Sequence, residues 1–379
     1  MIMLRKLCFC PMLVLFCLIL IFSYCSQKEE PVLKDAFISI FYIGTALNEA
    51  QIFGDDSKSI DLVKKQFNSI TPENILKWEH VHSQPDQYDF SLADLLVAFG
   101  EKNGMFITGH TLVWHNQTPA WVFEDESGSP VNRKTLLRRM RDHIFTVVDR
   151  YKGRIHGWDV VNEAVEDNGD LRKSKWLEII GEEYVSKAFE WAHEADPDAE
   201  LYYNDYNMWH AGKRESVTSL IGDLLEKGVP IHGIGMQGHW GLDYPPLDQL
   251  EASINAYAGL GLKVMVTEMD INVLPLPGPN TGADISLNYE LQKELNPYAE
   301  GLPDSMQEKL TARYVELFKI LSKHSDKITR VTFWGVHDGV SWQNDWPVTG
   351  RTAYPMLFDR RLQPKPAFYE VIKTATDAY

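Results

Sequence analysis

From Ala36 onward, short β-rich runs alternate with stretches whose apolar residues recur at helical spacing. Eight runs have the composition of strands: Ile40–Ala46, Ser69–Thr71, Met105–Thr111, Ile155–Asn162, Glu200–Asn204, Ile231–His239, Lys263–Asp270 and Thr329–Trp334. Several, such as Lys263-Val-Met-Val-Thr267, are almost continuously apolar, which suits strands covered on both faces. Between the third and fourth runs, Leu136, Leu137, Met140, Ile144, Val147, Val148 and Tyr151 mark one helix face. Between the second and third, Ser91 with Asp94 reads as a capping-box-like start, Leu92, Leu95, Leu96 and Phe99 as the buried stripe, and Gly104 as the stop. Eight strand–helix alternations with no Pro/Ser-rich linker between them predict an α/β fold, a single-domain (β/α)8 TIM barrel over residues 36–379. The Pro-, Gly- and Asn-bearing stretch from Leu274 to Asp304 is expected to be an extended loop on the active face.

The beginning of the chain follows another pattern. Arg5 and Lys6 precede an apolar run from Leu7 to Phe22, the layout of a bacterial secretion signal and too short for a typical spanning helix. All four cysteines (Cys8, Cys10, Cys17 and Cys25) lie in or at the end of this leader, residues 1–24. The exported domain therefore has no disulfide and depends on its core. Cys25 sits where a lipoprotein signal places its lipid-bearing cysteine. The following Ser26-Gln27-Lys28-Glu29-Glu30, at the head of a linker over 25–35, resembles the acidic signal of surface lipoproteins in Bacteroides-like bacteria. An outer-membrane or cell-surface lipoprotein is the expectation, with a plain secreted form or an uncleaved anchor as alternatives.

Composition narrows the ligand. The 44% hydrophobic content supports a sizeable core, and the formal net charge of −16 becomes more negative by two when Arg5 and Lys6 leave with the leader. No basic stripe is available to release counterions, which excludes a nucleic-acid partner and disfavours a polyanionic substrate. A neutral or weakly charged ligand fits.

Barrel enzymes work at the C-terminal ends of their strands, so what each strand ends on carries the chemistry. The second run leads to Glu73-Asn74-Ile-Leu-Lys77-Trp78 and the third to His110-Thr-Leu-Val-Trp114-His115. The fourth ends Trp158-Asp-Val-Val-Asn162-Glu163-Ala164, the sixth Gln237-Gly-His239-Trp240, the seventh Thr267-Glu268-Met-Asp270, and the eighth Trp334, with Trp342 beyond. Carboxylates, amides, imidazoles and indoles at one rim are the inventory for binding and hydrolysing a sugar chain. Glu163 and Glu268 lie across the barrel from each other, as a proton donor and a carboxylate facing the anomeric carbon must.

These stretches, with Asn204-Asp205-Tyr206-Asn207, Gly235-Met-Gln237-Gly-His239 and Phe333-Trp334-Gly followed by Ser341-Trp342, resemble glycoside hydrolase family 10, whose known members are mostly endo-β-1,4-xylanases. The resemblance implies retention, with Glu163 as acid/base and Glu268 as nucleophile, their carboxyls ~5–5.5 Å apart. It implies Asn162 on the sugar 2-hydroxyl, His239 holding the nucleophile, Asp270 orienting His239, and Gln237 reaching the nucleophile or the sugar. Glu73, Asn74, Lys77, His110 and Trp114 would line the non-reducing-side subsites. Trp334 and Trp342 would roof the cleavage-site sugar, with Trp342 crowding C5 against a hydroxymethyl group. Tyr206 is either a sugar contact beyond the cleavage point or a packing residue.

No cofactor is expected, and His110, His115 and His239 match no common metal-ligand spacing. Trp158, Trp176, Trp191 and Tyr151 read as core or helix-packing residues. The expected partners are xylan or xylo-oligosaccharides and, through the lipid, a membrane; a monomer is the default, with the oligomeric state open. Two rivals stand beside this reading: the same fold acting on cellulose, cello-oligosaccharides or mixed-linkage glucan, and a glycan-binding surface lipoprotein without catalysis.

Overall fold

In the computed structural model, which describes residues 30–278, 285 and 287–376, the eight runs become parallel strands. The leader and Cys25 lie outside the described residues, as do 279–284 and 286 of the long loop. The strands are β1 (Tyr42–Leu47), β2 (Ser69–Pro72), β3 (Phe106–Val113), β4 (Gly157–Asn162), β5 (Glu200–Asp205), β6 (Gly233–Met236), β7 (His239–Gly241), β8 (Lys263–Asn272) and β9 (Ile328–Phe333). Every pairing is parallel, in the order β6-β5-β4-β3-β2-β1-β9-β8, and β6 closes onto β8. The result is an eight-stranded (β/α)8 barrel wrapped by helices that include Ser91–Lys102, Arg133–Arg150, Ala211–Glu226 and Asp304–Lys323.

The sixth run, expected as one strand, is broken into β6 and β7. Gly238 between them has φ +88°, and a Cβ there would lie 2.6 Å from the Val266 side chain. β6 and β7 both pair with β8, and across the break the register advances by one residue, so that His239 lies opposite Asp270. That register places the His239 imidazole 2.9 Å from the Asp270 carboxylate.

Strands fully covered on both faces account for the apolar runs: β4 is buried at all six positions and β8 at eight of its ten. Gly109 in β3 is needed for close approach, since a Cβ would fall 2.1 Å from the Trp158 ring on β4. Helix Arg133–Arg150 is capped by Asn132, whose Oδ1 accepts from Thr135 N at 3.0 Å. It buries Leu136, Met140, Ile144, Val147 and Val148 as its spacing predicts. Trp158, Trp176 and Tyr151 are core residues, and Trp191 packs against the core partly exposed.

Two boundary expectations are corrected. Helix Ser91–Lys102 has no capping box. Asp89 accepts from the Ser91 N–H (2.9 Å) and hydroxyl (2.6 Å), while Asp94 is drawn away to Arg150 and to the Tyr151 hydroxyl. The folded unit also starts before residue 36: Leu33–Ala36 is a short helix, Leu33 is fully buried, and its N–H donates to Gln66 Oε1 at 2.8 Å.

Behind the second barrel segment, His82 and His143 meet Nδ1 to Nδ1 at 3.2 Å. Trp78 stacks on His143 with ring centres 3.6 Å apart, and Tyr88 stacks on His82 at 3.8 Å. Burial holds His82 down at about 4, and burial, then His82, holds His143 well below the ordinary histidine value of 6.5. The unfolded chain therefore binds more protons than the folded one below 6.5. This stability is present above 6.5 and is lost as pH falls through the interval toward 4. We expect the melting temperature to drop over that interval, with a shallower slope in His143→Phe even though that variant starts lower. An unchanged slope would show that the pair does not report on folding.

Candidate active site

The ends of β2, β3, β4, β6, β8 and β9 surround a cleft of about 230 Å³. Its walls include Glu73, Asn74, Lys77, His110, Trp114, Asn162, Glu163, Gln237, His239, Glu268, Trp334 and Trp342, every rim residue expected from the sequence except Asp270 and Tyr206.

Glu163 leaves β4 with φ +59°, a backbone region that costs a non-glycine residue about 1–3 kcal/mol and persists only where surroundings hold it. Three ties hold it. Its N–H donates to Asn204 O at 2.9 Å, and its carbonyl accepts from Arg172 Nε at 2.9 Å. Next to it, Val165 N–H donates to the buried Asp205, which Lys213 neutralises at 2.8 Å. Its carboxyl accepts from Trp114 Nε1 (2.8 Å) on Oε2 and from Gln237 Nε2 (2.8 Å) and Asn162 Nδ2 (3.1 Å) on Oε1. Burial pushes its pKa above the ordinary carboxyl value, more strongly than those donors and the Arg172 charge pull it down.

Glu268 sits in the opposite electrostatic setting. His239 Nε2 donates to Oε2 at 3.2 Å and Asn204 Nδ2 to Oε1 at 2.7 Å. Burial alone would raise its pKa, but the His239 hydrogen bond and the charges of His110, His239 and Lys77 hold it below the ordinary value. His239 is itself a cation at neutral pH. Burial disfavours that, yet Asp270, 2.9 Å from Nδ1, and Glu268 together push its pKa up to about 10.

The two glutamates are linked through amides: Asn204 Nδ2 bonds both Glu268 Oε1 and Asn162 Oδ1 (2.9 Å), and Asn162 Nδ2 bonds Glu163. The Gln237 side chain bonds Glu163 and Asn162 Oδ1 (3.3 Å), not the Glu268 carboxylate.

At one end of the cleft Lys77 Nζ donates to Asn74 (3.0 Å) and Gln117 (2.8 Å) and lies 4.7 Å over the Trp114 ring. Burial lowers its pKa and raises that of Glu73 to about 7, where Lys77 opposes and Glu49 and Glu268 add to the rise. His110 is anchored by the buried Asp159 at 2.9 Å and meets Trp334 edge-on. Trp342 forms the roof with Trp346 stacked on it at 4.4 Å.

Tyr206 does not line the cleft. It is 6% exposed, its hydroxyl accepts from Arg172 Nη2 at 2.8 Å, and Lys213 lies 4.1 Å over its ring, which is the packing alternative. His337 is buried beside the Asp338–Val340 turn, where its Nδ1 accepts from Gly339 N–H at 3.1 Å.

Sequence reasoning missed Asn204, Arg172, Asp159, Gln117 and Trp346. Asn204 had a signal, being a buried amide at a strand end; Trp346 had one too, as a third indole four residues after Trp342. Arg172 and Gln117 come from loops with no local signature.

A (β/α)8 barrel whose rim holds two buried carboxyls in opposed electrostatic settings, walled by indoles and amides, defines a glycoside hydrolase. The sequence model of glycosyl hydrolase family 10 matches residues 32–374, and the chain belongs to that family. Among its relatives, endo-1,4-β-xylanase A of Xylanibacter ruminicola is 48% identical over 346 residues, covering 91% of this chain and 94% of that protein. A β-1,4-xylanase of Dictyoglomus thermophilum is 45% identical, covering 95% and 97%. Among solved structures, a family 10 endoxylanase from a sugarcane-soil metagenome superposes with TM-score 0.88 at 47% identity, covering 90% of this chain and 99% of that one. A Paenibacillus barcinonensis xylanase bound to a conduramine derivative superposes with TM-score 0.81 at 42% identity, covering 91% and 99%.

Proposed function

We propose that this chain is an endo-1,4-β-xylanase that hydrolyses internal bonds of xylan with retention, through a covalent glycosyl-enzyme. The observation that carries the reading is the opposed setting of the two glutamates: Glu163 held toward its acid form by burial, Glu268 held ionised by the His239 cation. Double displacement needs that asymmetry at neutral pH. Glu163 donates its proton to the leaving glycosidic oxygen while Glu268 attacks the anomeric carbon. Glu163, now ionised, then takes a proton from the water that releases the sugar. The relatives named as xylanases, and a solved neighbour at 37% identity in complex with xylotriose, support xylan as the substrate class.

Asn162, beside Glu163 and bonded through Asn204 to Glu268, is placed to meet the hydroxyl at C2 of the sugar held between them. Glu73, Asn74, Lys77, His110 and Trp114 bind the non-reducing side. Trp334 and Trp342 cover the sugar at the cleavage point and present indole faces to pyranose C–H groups. The chain needs no cofactor in this scheme. We further propose export and a lipid anchor at Cys25, on the strength of the leader sequence alone.

Three outcomes are expected. Residues 27–379 incubated with xylan, carboxymethylcellulose and mannan release a xylo-oligosaccharide ladder from xylan alone, none with Glu268→Ala, and Trp342→Ala gains cellobioside turnover. Activity chiefly on glucan would overturn the substrate. Glu163→Ala loses about 10²–10⁴-fold on poor leaving groups and far less on dinitrophenolate, which leaves without a proton. Equal losses would remove Glu163 from the acid role. Expressed in a bacterium that processes lipoproteins, the full chain fractionates with membranes and Cys25→Ser does not; identical fractionation would remove the anchor.

A further inference from the structure

Asp270 is fully buried, and one of its oxygens serves both His239 and the Trp342 roof while the other takes a separate donor. Oδ2 accepts from His239 Nδ1 (2.9 Å) and from Trp342 Nε1 (2.7 Å), while Oδ1 accepts from Gln343 Nε2 at 2.7 Å. Gln343 is 4% exposed and does not line the catalytic cleft. Trp342 and Gln343 are consecutive residues of one 3₁₀ turn, Trp342–Asn344, opened by Ser341, whose hydroxyl accepts from Gln343 N–H at 3.2 Å. One turn therefore aims two donors at a single carboxylate.

That turn has supports of its own. Asn344 Nδ2 donates to the carbonyls of Asp338 (3.0 Å) and Ser341 (2.8 Å). Asp338 is buried, pairs with Lys365 at 3.0 Å and accepts from Met356 N–H at 2.8 Å. The Gln343 side chain is thus free to serve Asp270.

A carboxylate held only through Oδ2 can pivot about its Cβ–Cγ bond; a donor on Oδ1 stops the pivot. The plane of Asp270 sets the direction of His239, and His239 sets the hydrogen bond to Glu268. We propose that Gln343 is a positioning residue: by fixing Asp270 it aims the His239 imidazolium at Glu268 and couples the tryptophan roof to the nucleophile. The proposal rests on the assignment of Glu268 as nucleophile.

The sign of the effect follows from the hydrogen bond. A donor to a carboxylate stabilises its charged form, so a loosened His239 raises the pKa of Glu268. The charged and titratable groups facing Glu268 and His239 are His110, Lys77, Glu73, Glu163 and Asp270. A neutral-for-neutral change at Gln343 adds no charge beside them and, of these groups, touches only Asp270.

Gln343→Met keeps length and volume and removes the donor. Expected is a fall in kcat/KM of about 10–100-fold, the cost of removing an orienting partner of this kind. The loss should be equal on xylobiosides with dinitrophenolate and with poor leaving groups, because the proton donor is untouched. The acid limb of the pH profile should move to higher pH, with KM changing much less than kcat. An unmoved acid limb, or a loss confined to poor leaving groups, overturns the proposal. Should Gln343→Met not fold, Gln343→Glu serves: a protonated carboxyl still donates to Asp270, so activity is retained at low pH and falls as the introduced carboxyl ionises against it. A wild-type pH profile in Gln343→Glu overturns the proposal equally. Failure of the underlying assignment shows elsewhere, as Glu268→Ala giving no α-glycosyl azide with azide.

Discussion

The active site depends on one buried cation held between two carboxylates. His239 is protonated because Asp270 and Glu268 flank it, and Glu268 stays ionised because His239 and Lys77 offset the cost of burial. Each charge is tolerable only in the presence of the others. Removing one member of such a buried set strands the rest, at a cost of about 3–5 kcal/mol. The backbone that arranges it departs from regular pairing at the Gly238 break, beyond which the register on β8 advances by one residue and His239 lies opposite Asp270.

On the opposite wall the same barrel shifts a carboxyl the other way. Glu163 accepts from three donors, Trp114, Gln237 and Asn162, yet burial outweighs them and moves its pKa above the ordinary carboxyl value. Its positive φ is held by Arg172 and by the Asp205–Lys213 pair beneath it, charges that never reach the cleft. The Asn162–Asn204 amide link joins the two glutamates without equalising them. A site built this way links its two carboxyls through neutral amides while burial and the His239 charge set their opposite pKa shifts. Electrostatic groups set in advance spare the reorganisation that water would need during reaction.

The barrel was legible because strands buried on both faces are written as apolar runs, and because Glu163, His239 and Glu268 stand at their ends. Less legible were features decided by contacts distant in sequence. Whether Ser91 caps a helix depends on Asp94 being claimed by Arg150, fifty-six residues on. That Gln237 serves Glu163 instead of Glu268 depends on which side of the β6 end its side chain takes. Tyr206 followed the family motif into the site's neighbourhood, yet it packs beneath Arg172 and Lys213. Asn204 was visible as a strand-end amide, but its double role needs the distances to β4 and β8.

The central claim is that Glu268 is the carboxylate that bonds to the sugar. Incubation with a 2-deoxy-2-fluoro-xylobioside carrying a dinitrophenolate leaving group, followed by proteolysis and mass spectrometry, tests it directly. The account predicts one fluoro-xylobiosyl adduct, on the peptide containing Glu268 and localised to that residue, and no adduct in Glu268→Ala. An adduct on Glu163 or elsewhere, or turnover to an inverted sugar with no adduct at all, would contradict it.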